Sequence, residues 1–496
     1  MHLDRIIILL SYVYLAFPVA IFAIGWLKWP YALVFVLILL FSLRQCVRDY
    51  DVYEKFTGFP GNIPFLSSFF FVVAFVVVLW VGFSGIGGFS FQNSDHELRN
   101  LMLHDLIDAD WPVIYDFSYL QTDGTPAWFH GALVYYITFW MPSALIGKLW
   151  GWKAANLTLY LWTVAGVLLS QYLLFRYLKK LSLLPLVLFI FWSGMDSFPF
   201  IIQGELPLQG QHIEWWAKYF QYSSNTTTLY WVFNQTVTTW IIVFLIMNQR
   251  SSRNLLFTYS LCLPFAPFPF IGLAPFVLYK FCCNTENDKI SKYRLKHLWT
   301  NIKQNLTFAN FVGGTTVALT FGLYFISNQH NTGNSGFVGE NQKVVLIWTL
   351  YALFCIFEFG IYALIVAEKY RRNPYFLIAV ISLLLIPTYS AGTYNDFAMR
   401  VSIPALLVLM LFVIRYLREA ENKRHQYILI FFLVIGAVTP INEIVRSVGN
   451  TILVPTEIVQ DHKKTFTDPK NIGETTFFVT RQTERAFFFR YLAKKQ

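Results

Sequence analysis

Read from the N-terminus, the chain alternates long apolar runs with short polar interruptions, and the apolar runs recur from Arg5 to Asn442. A ~30 Å hydrocarbon core is crossed by about 20 helical residues, so runs of this length predict membrane-spanning helices. Inside lipid the backbone must satisfy its own hydrogen bonds, which favours helices, and the weak alternating segments of a barrel are absent from the sequence. The expectation is an all-α, polytopic transmembrane helical bundle of about a dozen spans over residues 1–442. Residues 443–496 follow as a short extracytoplasmic C-terminal segment.

Three stretches depart from simple spans. Phe129–Trp150 contains Pro142 and Lys148 and reads as a juxtamembrane or re-entrant helix, with the true span at Ala154–Phe175. Leu255–Lys280 carries Pro264, Pro267, Pro269 and Pro275. Each proline can disrupt a helix by ~3 kcal/mol, so this stretch reads as two half-spans or a broken hairpin. In the tail, Thr475–Thr480 and Ala486–Leu492 read as strands.

Composition sharpens the class: 56% of residues are hydrophobic and 13% charged, against about 25% charged in soluble chains. The net charge of +10 is spread over short clusters between apolar runs, which argues against a nucleic-acid surface and for orientation signals. These clusters are Arg44/Arg48/Lys55, Arg176/Lys179/Lys180, Arg250/Arg253, Lys280 through Lys303, Lys369/Arg371/Arg372 and Arg415/Arg418/Lys423/Arg424. Placing them in the cytoplasm puts residues 84–128, 196–228, 328–342 and 390–401 outside.

The first external loop holds the densest chemistry. Asp95, Glu97, Asp105, Asp108, Asp110, Asp116 and Asp123 lie in it with Arg99 as the only Lys or Arg. A helix here places Leu98, Leu101, Met102 and Leu106 on one stripe and Glu97, Asn100, His104 and Asp108 on another, a pattern suited to floating at the membrane face. Ser94 and Glu97 also have capping-box spacing, a structural role that needs no substrate. Asp95, just past a membrane exit, is placed to accept a proton from a hydroxyl. A second group, Asn395, Asp396 and Arg400, opens a later span on the same side. Arg400 can hold a phosphate or simply pair with Asp396 one turn earlier. His96, Glu97, His104 and Asp105 are the one grouping from which a divalent metal could draw ligands, but no tight ligand spacing supports it; no other cofactor is indicated. Trp215 and Trp216 read as an interfacial aromatic belt, and Asn234 and Gln235 as interhelical glue.

The order of these parts resembles the GT-C type of integral membrane glycosyltransferase. That family places an essential acid in its first large external loop, then juxtamembrane helices, then a span ending in a basic cytoplasmic cluster. Asp95, the stretch from Trp128 through Trp150, and Ala154–Lys180 follow that order, and the aromatic run Phe129–Tyr136 is similar to the segment after the family's acid loop. The likeness covers roughly residues 63–200. Many relatives carry two adjacent acids where His96 here separates Asp95 from Glu97. The resemblance implies inverting transfer of a sugar from a polyprenyl-phosphate-linked donor to a glycan or lipid-linked acceptor at the external face of a bacterial cytoplasmic membrane. Asp95 would be the base, Arg400 the phosphate partner, and His96, Glu97, His104, Asp105, Asn395 and Asp396 substrate contacts. The rival readings are a lipid-linked glycan flippase or other transporter, which needs polar groups along an intramembrane path, an O-antigen-type polymerase, and an assembly scaffold.

Overall fold

The computed structural model describes residues 2–53, 63–120, 125–202, 204, 212–283, 302–303, 305–328, 335–338, 344–391, 396–453, 465–467 and 478–495. It is 75% helix and 6% strand. Among the described residues, seven helical stretches are long and apolar enough to cross a membrane: Leu3–Trp26, Trp29–Arg48, Ile137–Leu178, Asn225–Asn248, Ala309–Ile326, Val345–Tyr370 and Lys423–Leu453. Three shorter apolar helices, Ser67–Gly82, Pro267–Cys283 and Pro374–Thr388, stand beside them.

The chain opens with α1 (His2–Trp26) and α2 (Trp29–Arg48), followed by α3 (Ile63–Gly82) and α4 (Ser94–Asp108). A long α5 (Met141–Leu178) is broken at Gly151, whose φ of 79° lies in the left-handed region open to glycine. The break falls between the two segments that the proline and lysine pattern separates. After the short α6 (Leu183–Ile190) and α7 (Phe198–Ile202) comes α8 (Asn225–Asn248), the most enclosed of the seven spanning-length helices among the described residues, with 94% of its apolar window buried. The proline-rich stretch forms α9 (Leu255–Ser260) and α10 (Pro267–Cys283), with non-helical backbone between them, as its composition requires.

The mostly helical architecture also carries short strands. Residues 114–133 are an antiparallel hairpin, β1 (Ile114–Leu120) and β2 (Pro126–Leu133), in register from Ile114 opposite Ala132 to Leu120 opposite Pro126. The expected helix over Phe129–Trp150 therefore begins only after Leu133, because β1, whose Tyr115, Phe117 and Tyr119 alternate with Asp116 and Ser118 as suits a pleated surface, draws residues 126–133 into a paired strand. In the tail, Val479–Thr480 adds a third strand to β2 at Ala132 and Leu133. Phe488–Leu492 is a π-helical turn instead of the expected strand, since its consecutive aromatics do not alternate. Phe488 packs on Phe22 and Tyr324, and Lys494 N–H donates to Trp26 O at 2.9 Å. The tail is thus sewn to the end of the bundle that carries α4 and the hairpin.

Candidate functional site

The site begins at the N-terminus of α4. Asn93, not Ser94, is the N-cap: its side-chain oxygen accepts from Asp95 N–H at 3.1 Å and its Nδ2 donates to Tyr230 O at 3.0 Å. On the expected polar stripe of the helix, Glu97 and Asp108 are exposed and Asn100 is half-buried. Leu101, Met102, Leu103 and Leu106 are buried, and so are His96, Arg99, His104 and Asp105. Of the expected polar stripe only His104 is buried, and the other buried polar residues find partners on the hairpin and on α8.

Those partners decide what each side chain can do. His96 Nε2 lies 3.2 Å from Tyr230 O, and burial, reinforced by the nearby Arg99 charge, pushes its pKa down to about 3. The imidazole is neutral and positions α4 against α8. His104 stacks on Trp152 with ring centroids 3.7 Å apart. Asp105 accepts from Tyr115 Oη at 2.8 Å and from Phe466 N–H at 3.2 Å, joining α4 to the hairpin and the tail. Burial outweighs those two donors and raises its carboxyl to about 7. Glu97 is exposed, while Asp95, half-exposed, accepts from Arg99 Nη2 at 2.8 Å. His104 and Asp105 thus make contacts that join α4 to α5, the hairpin and the tail. Among the described residues no group of three or more His, Cys, Asp or Glu is arranged to hold a metal ion.

Arg400 meets this end of α4 from the short helix Asp396–Val401. Its Nη1 donates to Tyr136 Oη at 2.6 Å and its Nη2 to Asp396 at 2.8 Å, while the guanidinium lies over the Phe268 ring. Burial works against its charge, yet Asp396, the Tyr136 and Tyr135 phenols and Asp95 together hold its pKa above the ordinary value. Tyr135 in turn sits in the fields of both Arg400 and Arg99. Asp95, Arg99, Tyr135, Tyr136, Asp396 and Arg400 thus form one electrostatic neighbourhood. Arg400 Nε and Arg99 Nη1 are sealed from solvent with no acceptor. Asn395 lies outside the described residues. Two lateral cavities, of about 530 Å³ among α1, α3 and α5 and about 650 Å³ beside α2, include neither Asp95 nor Arg400.

A second polar cluster sits beyond α8. Asp196, Glu214, Glu358 and Glu443 are all buried. Glu443 pairs with Arg446 at 2.6 Å and with His212 at 3.5 Å, and accepts from Trp231 Nε1. Glu214 accepts from Ser223, Gln221 and Ser224 N–H, and burial raises its carboxyl to about 7. Trp216, expected in the aromatic belt, donates Nε1 to Glu358 at 3.0 Å. Gln235, expected as interhelical glue, has no partner at either side-chain polar atom, and Asn234 Nδ2 has none. Asn225 would head a glycosylation acceptor triplet if it were exposed, but it is buried with Nδ2 donating to Phe189 O. The sequence carries one unheeded signal for the cluster: Glu358 interrupts the apolar stretch Val345–Tyr370, where an ionisable side chain demands a partner.

The chain as seen belongs to the broad class of helical proteins whose helices are long and apolar enough to cross a membrane. No protein-family model, curated protein or solved structure matches it.

Proposed function

We propose that the chain is an integral membrane glycosyltransferase of GT-C type, moving a sugar from a polyprenyl-phosphate donor to a glycan or lipid-linked acceptor on the extracytoplasmic face of a bacterial cytoplasmic membrane. The observation that carries the reading is that Asp95 and Arg400, far apart in sequence, lie near enough for the carboxylate to favour the guanidinium charge. Asp95 takes the proton of the acceptor hydroxyl as its oxygen attacks the anomeric carbon. The bond from that carbon to the phosphate oxygen breaks, and the leaving phosphate takes the negative charge to Arg400. Guanidinium suits this partner because its N–H groups pair with two phosphate oxygens at once. A buried donor without an acceptor costs about 1–3 kcal/mol, so the unfilled Arg400 Nε and Arg99 Nη1 favour an anionic ligand there.

The test is reconstitution with labelled polyprenyl-phosphate sugar and acceptor. Asp95→Asn should abolish transfer while thermal unfolding of the purified protein stays unchanged; normal turnover removes Asp95 from the role.

A specific observation supports a second reading, a transporter of lipid-linked glycan. Buried acids do line the interior at Glu358, Asp196 and Glu214, where the sequence pattern placed polar clusters only in loops. Movement of intact labelled lipid across proteoliposomes, without sugar transfer, would select it.

A further inference from the structure

Four carboxylates and two cationic side chains make up the second cluster, and the cations are unevenly placed. Arg446 and His212 both attach to Glu443, and His212 reaches Glu214 only at 3.9 Å. Asp196 and Glu358 lie together at the Gly194 corner, where a Cβ on Gly194 would stand 2.0 Å from Glu358 Oε2. Asp196 Oδ2 accepts from Ser193 at 3.1 Å and Thr439 at 2.9 Å, and Glu358 Oε1 accepts from Trp216. Asp196 Oδ1, in a residue with no solvent exposure, has no donor, and the polar group beside Asp196 is the Glu358 carboxyl, another acceptor.

The remaining titratable neighbours cannot fill that gap. Tyr362 donates its hydroxyl to Phe432 O and Tyr222 donates to Leu383 O, so both phenolic protons are committed elsewhere. Glu214 adds a further negative charge, and among the described residues neither Asp196 nor Glu358 has a salt bridge to Lys, Arg or His. Two acceptors facing each other in a low-dielectric interior repel unless a hydrogen or a cation lies between them. The described acids do not converge as a metal-binding group, which favours the hydrogen.

We propose that Asp196 and Glu358 form a proton-binding site in which the two carboxyl groups share a single proton. Glu214 and the partly buried His212 extend the chain of titratable groups from this pair toward Glu443. The site stands apart from Asp95 and does not depend on glycosyl transfer.

Infrared difference spectroscopy of the full-length protein tests this directly. Wild type minus Glu358→Gln at neutral pH should show the loss of one carboxylic C=O stretching band that moves on exchange into heavy water. Gln keeps the shape and offers an amide N–H to Asp196, so this variant should fold. As a measurement independent of any variant, dicyclohexylcarbodiimide, an apolar reagent for protonated carboxyls, should label wild-type Glu358 or Asp196 at neutral pH and less at alkaline pH. A difference spectrum containing only carboxylate bands overturns the proposal. So does a carboxylic band that vanishes on adding sodium, magnesium or calcium, since a metal cation would then be the occupant.

Discussion

Asp105→Asn separates framework from chemistry at α4. The wild-type carboxyl stands at about 7 in the folded chain against an ordinary value of 3.8. Burial disfavours its ionised form, so folding is favoured most when Asp105 is protonated, and that contribution is lost as pH rises from about 4 through about 7. The difference corresponds to about 4 kcal/mol at alkaline pH, since each tenfold step in the equilibrium is about 1.4 kcal/mol. Asparagine can accept the same hydrogen bonds from Tyr115 and Phe466 N–H without ever becoming charged. The variant should therefore unfold at higher temperature than wild type near pH 8, and at nearly the same temperature near pH 4. His96 works in the opposite direction: its depressed folded value means stability lost as pH falls below about 6.5 toward about 3. The comparison between variant and wild type at each pH removes that background. The assay is thermal unfolding of detergent-solubilised protein followed by intrinsic fluorescence. An Asp105→Asn protein that is less stable than wild type at pH 8, or stable but inactive in sugar transfer, refutes the framework assignment.

Other substitutions probe the neighbouring packing. Gly272→Ala places a Cβ 1.9 Å from Val401 O, so it should push the helix carrying Arg400 outward, cost about 1–3 kcal/mol and depress activity; equal thermal stability and turnover would contradict this. Gly322→Ala, with nothing within 4 Å of its Cβ, should leave activity alone and stabilise the helix by up to about 1 kcal/mol, measured in the same unfolding assay. Arg400→Lys should weaken binding of polyprenyl phosphate at least tenfold, because a single ammonium cannot reproduce the fork held by Tyr136 and Asp396; unchanged affinity in a titration would exclude Arg400 as the phosphate partner. Gly194→Ala should be strongly destabilising, since its Cβ would overlap the Glu358 carboxyl; a thermal midpoint equal to wild type would show that the corner is not closely packed.

How much of this was legible beforehand differs between backbone and side chains. Apolar runs of spanning length are read residue by residue, and so α1, α2 and the break at Gly151 follow from local composition. The hairpin at 114–133 is also local, but its alternation is short and sits beside a longer apolar run, whose helical signal masked it. Side-chain roles depend on contacts with no local signature. Asp95 and Arg400 could be nominated because each stands at a polar boundary, whereas Asp105 and His104 look equally functional in sequence and are claimed by Tyr115, Phe466 and Trp152.

The same reasoning explains why the acid cluster stayed hidden. Asp196 and Glu214 fall in a polar segment where acids are unremarkable, and Glu443 follows an apolar run as an ordinary helix end would. Only Glu358 is anomalous by itself, and its meaning comes from the three other acids and His212, all supplied by other parts of the chain. Burying four acids with two cations leaves negative charge that the interior cannot carry unpaired. A fold that keeps such an arrangement must load it with protons or open it to solvent, and the sealed Asp196 Oδ1 favours the former. The Asp95 neighbourhood has the opposite character: two carboxylates face two guanidiniums, and the unfilled positions are donors. The Asp95 neighbourhood thus offers unfilled donors, and the Asp196–Glu358 pair an unfilled acceptor. That asymmetry lets the two sites be tested apart: Asp95→Asn should leave the infrared signature of Glu358 untouched, and Glu358→Gln should leave phosphate binding at Arg400 unchanged.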